Sequence, residues 1–184
     1  MTNLPTMEIV VDLGDAPRLS EVARYFEDLS SIYNYALTIY LPNSVARMAL
    51  RVVRVRMSSP LETVLAASSS FQPVAAVVAA LWAVERAIRL LMEWQMHQLE
   101  LAGRRSGGSG EDREDDDLEA LLERQSEIAS SAIDALEQGA GSGGLERAAE
   151  GRDAALSAAR RIIRYRVILV EVDADAGKGK RRKR

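Results

Sequence analysis

The sequence contains no cysteine, and this absence excludes a disulfide framework and any metal site built on thiolates. It has one histidine, His97, and metal sites usually need more imidazole than that. Aromatic residues make up only 5% of the chain, so much of the apolar content is alanine, which favours close helix packing. These shortages leave few residues for metal or redox chemistry.

Catalytic signatures are also missing. The sequence has no Gly-x-x-x-x-Gly-Lys-Ser/Thr phosphate loop, no Gly-x-Ser-x-Gly turn and no paired histidines. Asp12 and Asp15 flank the end of the first predicted strand, where α/β enzymes often place functional acids, but turn chemistry explains them equally well. We therefore predict a protein that is not an enzyme and that uses no cofactor and no metal.

The net charge and the N-terminal sequence limit which partners and which cellular location are expected. The net charge of −3 is too small to predict a polyanionic partner for the chain as a whole. Met1 to Leu13 contains Glu8 and Asp12 and lacks a basic residue before an apolar stretch, so no secretory signal is predicted and the cytoplasm is expected. The bias towards arginine, alanine and glycine is typical of a GC-rich, bacterial-like coding background.

Apolar periodicity predicts an α+β fold with a small sheet of about three strands, a β-α-β start and a long helical hairpin. The strands are expected over 7–13, 50–57 and 165–172. The helices are expected over 19–40, 59–72, 73–102, 118–137 and 145–161. Ser59, Pro60 and Glu62 match a capping box with proline at the first helical position, which indicates a helix start.

The segments assemble into one domain with a linker and a tail. We expect a β-α-β unit and long apolar helices over 1–102, a disordered acidic linker over 103–117, two helices and a strand completing the same domain over 118–173, and a disordered basic tail over 174–184. The helix from Pro73 to Ala102 would be about 45 Å long. Because a small sheet cannot cover that length, part of this helix is expected to pack on another copy or another protein.

The apolar block from Thr63 to Val84 holds 22 residues without a charge. A membrane-contacting segment over 63–92 is one interpretation, but the serine cluster 68–70 and Pro73 interrupt it, and the strongly apolar part from Val74 has only 11 residues. Buried packing or a protein interface is favoured. The interface residues that we predict are Val74, Val77, Val78, Leu81, Trp82, Ile88, Leu91 and Met92.

Two clusters of polar residues resemble metal sites, but we interpret both as solvated surface segments. Glu93, His97 and Glu100 share a helical spacing that suits a metal, but a solvated polar stripe explains them and further ligands are not visible. The acidic run from Glu111 to Glu119 lacks the alternation and the central glycine of a calcium loop, so it is predicted to be a solvated linker.

The C-terminal segment carries six positive charges in seven residues. These are Lys178, Lys180, Arg181, Arg182, Lys183 and Arg184. Such a segment suits nucleic acid, anionic lipid or the chain's own acidic residues, although no aromatic side chain offers a platform for base stacking. A merely solubilising tail is the alternative.

These observations lead to three functional hypotheses. The first is a non-catalytic scaffold or adaptor that self-associates, or binds a protein partner, through apolar helix–helix interfaces. The second is a membrane-associated or membrane-perturbing protein that uses residues 63–92. The third is nucleic-acid binding through the tail alone.

Overall fold

A computed structural model gives the fold of this chain. The structure describes residues 5–13, 17–41, 50–56, 61–67, 74–105, 114–138 and 141–173. Within them, four strands and four helices follow one another along the sequence. They are β1 (Thr6–Asp12), α1 (Leu19–Tyr40), β2 (Leu50–Arg56), β3 (Leu61–Ala67), α2 (Val74–Arg105), α3 (Glu114–Glu137), α4 (Ser142–Ile162) and β4 (Arg166–Asp173).

The described strands form one antiparallel sheet in the order β2-β3-β1-β4. The α+β class predicted from the sequence is therefore confirmed, but the sheet has four strands rather than about three. β1 and β2, which α1 connects, are not neighbours, because β3 lies between them and pairs with both. A strand inserted in this way gives a split β-α-β arrangement instead of a directly paired one. β4 pairs with β1 and is antiparallel to it.

The helix predicted from Ser59 is wrong, because Leu61–Ala67 is the strand β3. Ser59 and Pro60 lie outside the described residues. The pattern at Glu62 imitates a capping box, whereas the β-branched Thr63 and Val64 favour a strand. Pairing with β1 and β2 on its two sides makes β3 a central strand, and this tertiary pairing outweighs the local helix signal.

Helices α2, α3 and α4 are longer than predicted, whereas α1 has the predicted range. α2 runs to Arg105 and α3 begins at Glu114, so both ends of the linker predicted over 103–117 are helical. Residues 106–113 lie outside the described part of the chain, as does the tail 174–184. α2 and α3 pack against each other, as the predicted helical hairpin requires.

One core joins the sheet to all four helices. Along β1 the burial alternates, so that Met7, Ile9 and Val11 are fully buried while the residues between them face the other side of the sheet. Thr63 of β3, which is paired with Ile9, is fully buried as well. The sheet thus has one face on the core and an open face, which we define here as the side that carries Glu8 and Val10.

Helices α1 and α4 run antiparallel in close contact. Asp28 of α1 is buried and accepts hydrogen bonds from Arg161 of α4, with the Arg161 Nε 2.8 Å from the Asp28 Oδ1. At the other end, Gly144 lies against the backbone of Ile39. A β-carbon built on Gly144 would lie 2.4 Å from the Ile39 carbonyl oxygen, so only glycine fits there.

Tyrosines of α1 differ sharply in how their hydroxyl groups are bonded. The Tyr35 hydroxyl donates to Glu137 of α3, 2.5 Å away, and the Arg152 Nε of α4 donates to the same carboxylate oxygen at 2.9 Å. Burial and the bond to Glu137 both raise the pKa of Tyr35. The hydroxyls of Tyr25 and Tyr33 are buried with no hydrogen-bond partner among the described residues, and burial raises the pKa of Tyr33 to about 12. Tyr35 therefore ties three helices together, whereas Tyr33 contributes only packing.

Gly144→Ala should lower the free energy of unfolding by about 1–3 kcal/mol, because the new methyl group must push the α1 backbone away. Gly141→Ala is the matched control, since nothing lies within 4 Å of its β-carbon position. Urea unfolding should show a change within about 1 kcal/mol for the control. Equal losses in the two variants would contradict the close α1–α4 approach.

Tyr35→Phe should destabilise the fold by about 1 kcal/mol or more, because the variant loses a hydrogen bond to a charged acceptor. Tyr33→Phe removes a hydroxyl without a partner among the described residues, so it should be neutral or stabilising by up to about 1 kcal/mol. Thermal unfolding of both variants measures the contrast. A larger loss of thermal stability for Tyr33→Phe than for Tyr35→Phe would contradict the hydrogen bonding described for these two hydroxyls.

Candidate interaction surface on α2

Helix α2 lies along β4, and Gln95 makes the contact. β4 is an edge strand of the described sheet, so one side of its backbone has no neighbouring strand among the described residues. The Gln95 amide binds the start of this edge: its Oε1 accepts from the Val167 N–H of β4 at 3.1 Å, and its Nε2 donates to the carbonyls of Ile163 and Tyr165 in the turn that precedes the strand. One side-chain amide therefore donates and accepts as a strand neighbour would.

Arg89 makes a second contact to the same edge. Its guanidinium donates to the Val170 carbonyl at 3.2 Å and to the Glu85 carboxylate at 2.7 Å, one helical turn away. Because Arg89 reaches Val170 while Gln95 reaches Val167, the helix runs antiparallel to β4. These two points agree with the rotation of α2 about its own axis that its buried apolar stripe requires.

The rotation of α2 decides which of the eight predicted interface residues lie in the core and which lie at the surface. Val77, Leu81, Ile88 and Leu91 are buried in the chain's own core, so their assignment to an interface is corrected. Val78 and Met92 are half-buried, and Trp82 is 56% exposed. The side chain of Val74 lies outside the described part. An apolar helix pattern cannot distinguish a core of the same chain from a partner, and here most of it serves the core.

The exposed side of α2, which we call the outer face, combines one large aromatic side chain with charges of both signs. Trp82 stands between the half-buried Val78 and the exposed Arg86, each one turn away. Further along the same stripe lie Glu85, Arg89 and Glu93, at three- and four-residue spacing. The outer face is therefore apolar near Trp82 and polar, with mixed charge, beyond it.

A groove of about 360 Å³ opens beside the second half of this helix. Its described lining is Arg89, Met92, Glu93, Met96 and His97. Glu93 and His97 are exposed, as expected for a polar stripe, and the side chain of Glu100 lies outside the described residues. No group of three or more potential metal ligands occurs in the described residues, so Glu93 and His97 have no described third ligand beside them.

Sequence reasoning missed Gln95 and Met96. Nothing in the sequence reveals that Gln95 faces a strand edge. Met96 is 53% exposed, which its apolar character does not reveal. The predicted anion-binding cations, Lys178 to Arg184, all lie outside the described residues.

The segment 63–92, predicted as an alternative membrane contact, is divided between a strand and a helix. Thr63 is fully buried in the central strand β3, and the α2 part gives its apolar side chains largely to the core. Among the described helices, none is both long and apolar enough to cross a membrane.

Comparisons with protein-family models, with curated proteins and with solved structures found no match to this chain.

Gln95→Ala should lower the free energy of unfolding by about 1–3 kcal/mol, because the β4 edge loses its partners. The Val167 amide should then exchange with solvent faster. Gln98→Ala is the matched control, because Gln98 is half-buried on the same helix and makes no hydrogen bond to the described residues. Unchanged exchange at Val167 in the Gln95 variant would show that the amide does not close this edge.

Proposed function

We propose that this protein is a non-catalytic scaffold or adaptor that self-associates through the outer face of α2. The observation that carries the proposal is Trp82, whose side chain is 56% exposed on a helix whose other side forms the core. Tryptophan is enriched among the residues that dominate binding energy in protein interfaces, because one side chain removes a large area from water. A partner surface would cover Trp82 together with Val78.

A second copy of the chain is the partner that the charges favour. Two α2 helices packed antiparallel, with the two-fold axis between residues 85 and 86, would place Glu85 across from Arg86 of the other copy. The same arrangement places Trp82 across from Arg89, whose guanidinium face can stack on the indole while its in-plane N–H groups keep their bonds to Glu85 and Val170. Such a self-complementary patch is what a two-fold interface requires.

Helix length supports the same arrangement. With 32 residues, α2 spans about 48 Å, while the described contacts to β4 occupy the segment from Arg89 to Gln95. The turn that carries Trp82 precedes this segment, so a second helix can approach it without displacing Gln95. Self-association therefore leaves the Gln95 contacts to Ile163, Tyr165 and Val167 intact.

Trp82→Ala should weaken self-association about 30-fold or more, as removal of a central interface tryptophan usually does. Sedimentation equilibrium over the micromolar range measures the dissociation constant. Leu122→Ala is the matched control, because Leu122 is 51% exposed on α3, away from the outer face, and its dissociation constant should change no more than about twofold. A wild-type chain that remains monomeric over this range contradicts the proposal.

A charge exchange tests the antiparallel register. Arg86→Glu alone would set two carboxylates against each other and should weaken association, while the added Glu85→Arg should restore it by re-forming the pair with reversed signs. Because Glu85→Arg also removes the ion pair with Arg89, the recovery is measured against Glu85→Arg alone. If the double variant shows no such recovery of association while Trp82→Ala still weakens it, the two-fold axis does not lie between residues 85 and 86.

A further inference from the structure

The open face of the sheet carries two carboxylates in direct opposition. Glu8 of β1 is paired with Glu171 of β4 in the antiparallel register. Side chains at directly opposed positions have β-carbons about 5 Å apart, and like charges there destabilise a sheet. Neither carboxylate has an ion-pair partner among the described residues, so the described chain leaves this pair of like charges uncompensated.

An apolar pair stands next to these carboxylates on the same face. Val10 of β1 is paired with Leu169 of β4, and both are half-buried and lie outside the core cluster. Ile168, at the register shift beside them, is 45% exposed. The open face therefore combines an uncompensated acidic pair with apolar side chains that water still reaches.

The chain places its densest positive charge directly after this strand. β4 ends at Asp173, two residues beyond Glu171, and the following segment 174–184 includes the six cations from Lys178 to Arg184. Eleven residues can span about 36 Å, while β4 with its eight residues is about 27 Å long. The segment is long enough to turn and run back over the whole strand.

We propose that the segment 174–184 folds back over the open face of β1 and β4, where its cations neutralise Glu8 and Glu171. The aliphatic parts of lysine and arginine side chains then cover Val10 and Leu169 while the charged ends reach the carboxylates. The tethering makes this contact effective at a high local concentration, without any second molecule. This inference is independent of the proposed self-association, because it uses the sheet and not α2.

The test is a double-mutant cycle between the acidic pair and the tail. Glu171→Gln is made in the natural chain and in a full-length chain whose six tail cations are replaced by glutamine. In the neutral-tail chain the substitution should raise the melting temperature by about 1–4 °C, because it relieves the repulsion from Glu8. In the natural chain it should leave the melting temperature unchanged or lower it, because it also removes an attraction to the tail.

Controls separate this contact from general charge effects. Glu150→Gln, an exposed position on α4, should have the same small effect in both backgrounds. The coupling should shrink in about 0.5 M NaCl, where screening acts over only a few ångströms. Equal effects of Glu171→Gln in the two backgrounds overturn the proposal. A coupling that grows with protein concentration also overturns it, because it places the tail on a second copy.

Discussion

The contact between α2 and the edge of β4 is the constraint on which the rest of this fold depends. An edge strand leaves backbone N–H and C=O groups without partners, and Gln95 and Arg89 supply partners from a helix. These polar contacts act together with the buried apolar stripe of α2, which includes Leu81, Ile88 and Leu91, to fix the rotation of a 32-residue helix. That rotation decides which apolar side chains belong to the core and which remain at the surface.

Small residues make up much of the core. Alanine is abundant on the buried sides of the helices, as at Ala80, Ala87 and Ala159, and Gly144 lets α4 touch the backbone of α1. Small residues allow helix axes to approach closely, so a chain with few aromatic residues still builds one continuous core. The larger anchors are Tyr25, Tyr33 and Met7, and each is almost completely buried.

Local sequence patterns predict much of the fold, but they do not predict which residues remain at the surface. The β-branched runs in β1 and β4 and the helical spacing of α1 could be recognised because each pattern extends over a whole element. β3 was missed because Ser59, Pro60 and Glu62 match a helix start, and only pairing on both sides reveals a strand. Half of the predicted interface residues were misassigned, because a helix that is apolar all round does not show where its partner lies. Trp82 is exposed because of how α2 is rotated against the core and β4, and the sequence alone does not show that rotation.

The inner side of α2 is buried in the core, and the outer face, which stays exposed, is the surface that we propose for a second copy. Because the chain has no cysteine, His97→Cys creates a unique attachment site for a spin label on an exposed position. Pulsed dipolar spectroscopy should then give one distance of roughly 35 Å between labels, from antiparallel helices crossing between residues 85 and 86. The absence of any coupling between labels at the concentrations used would contradict this proposal.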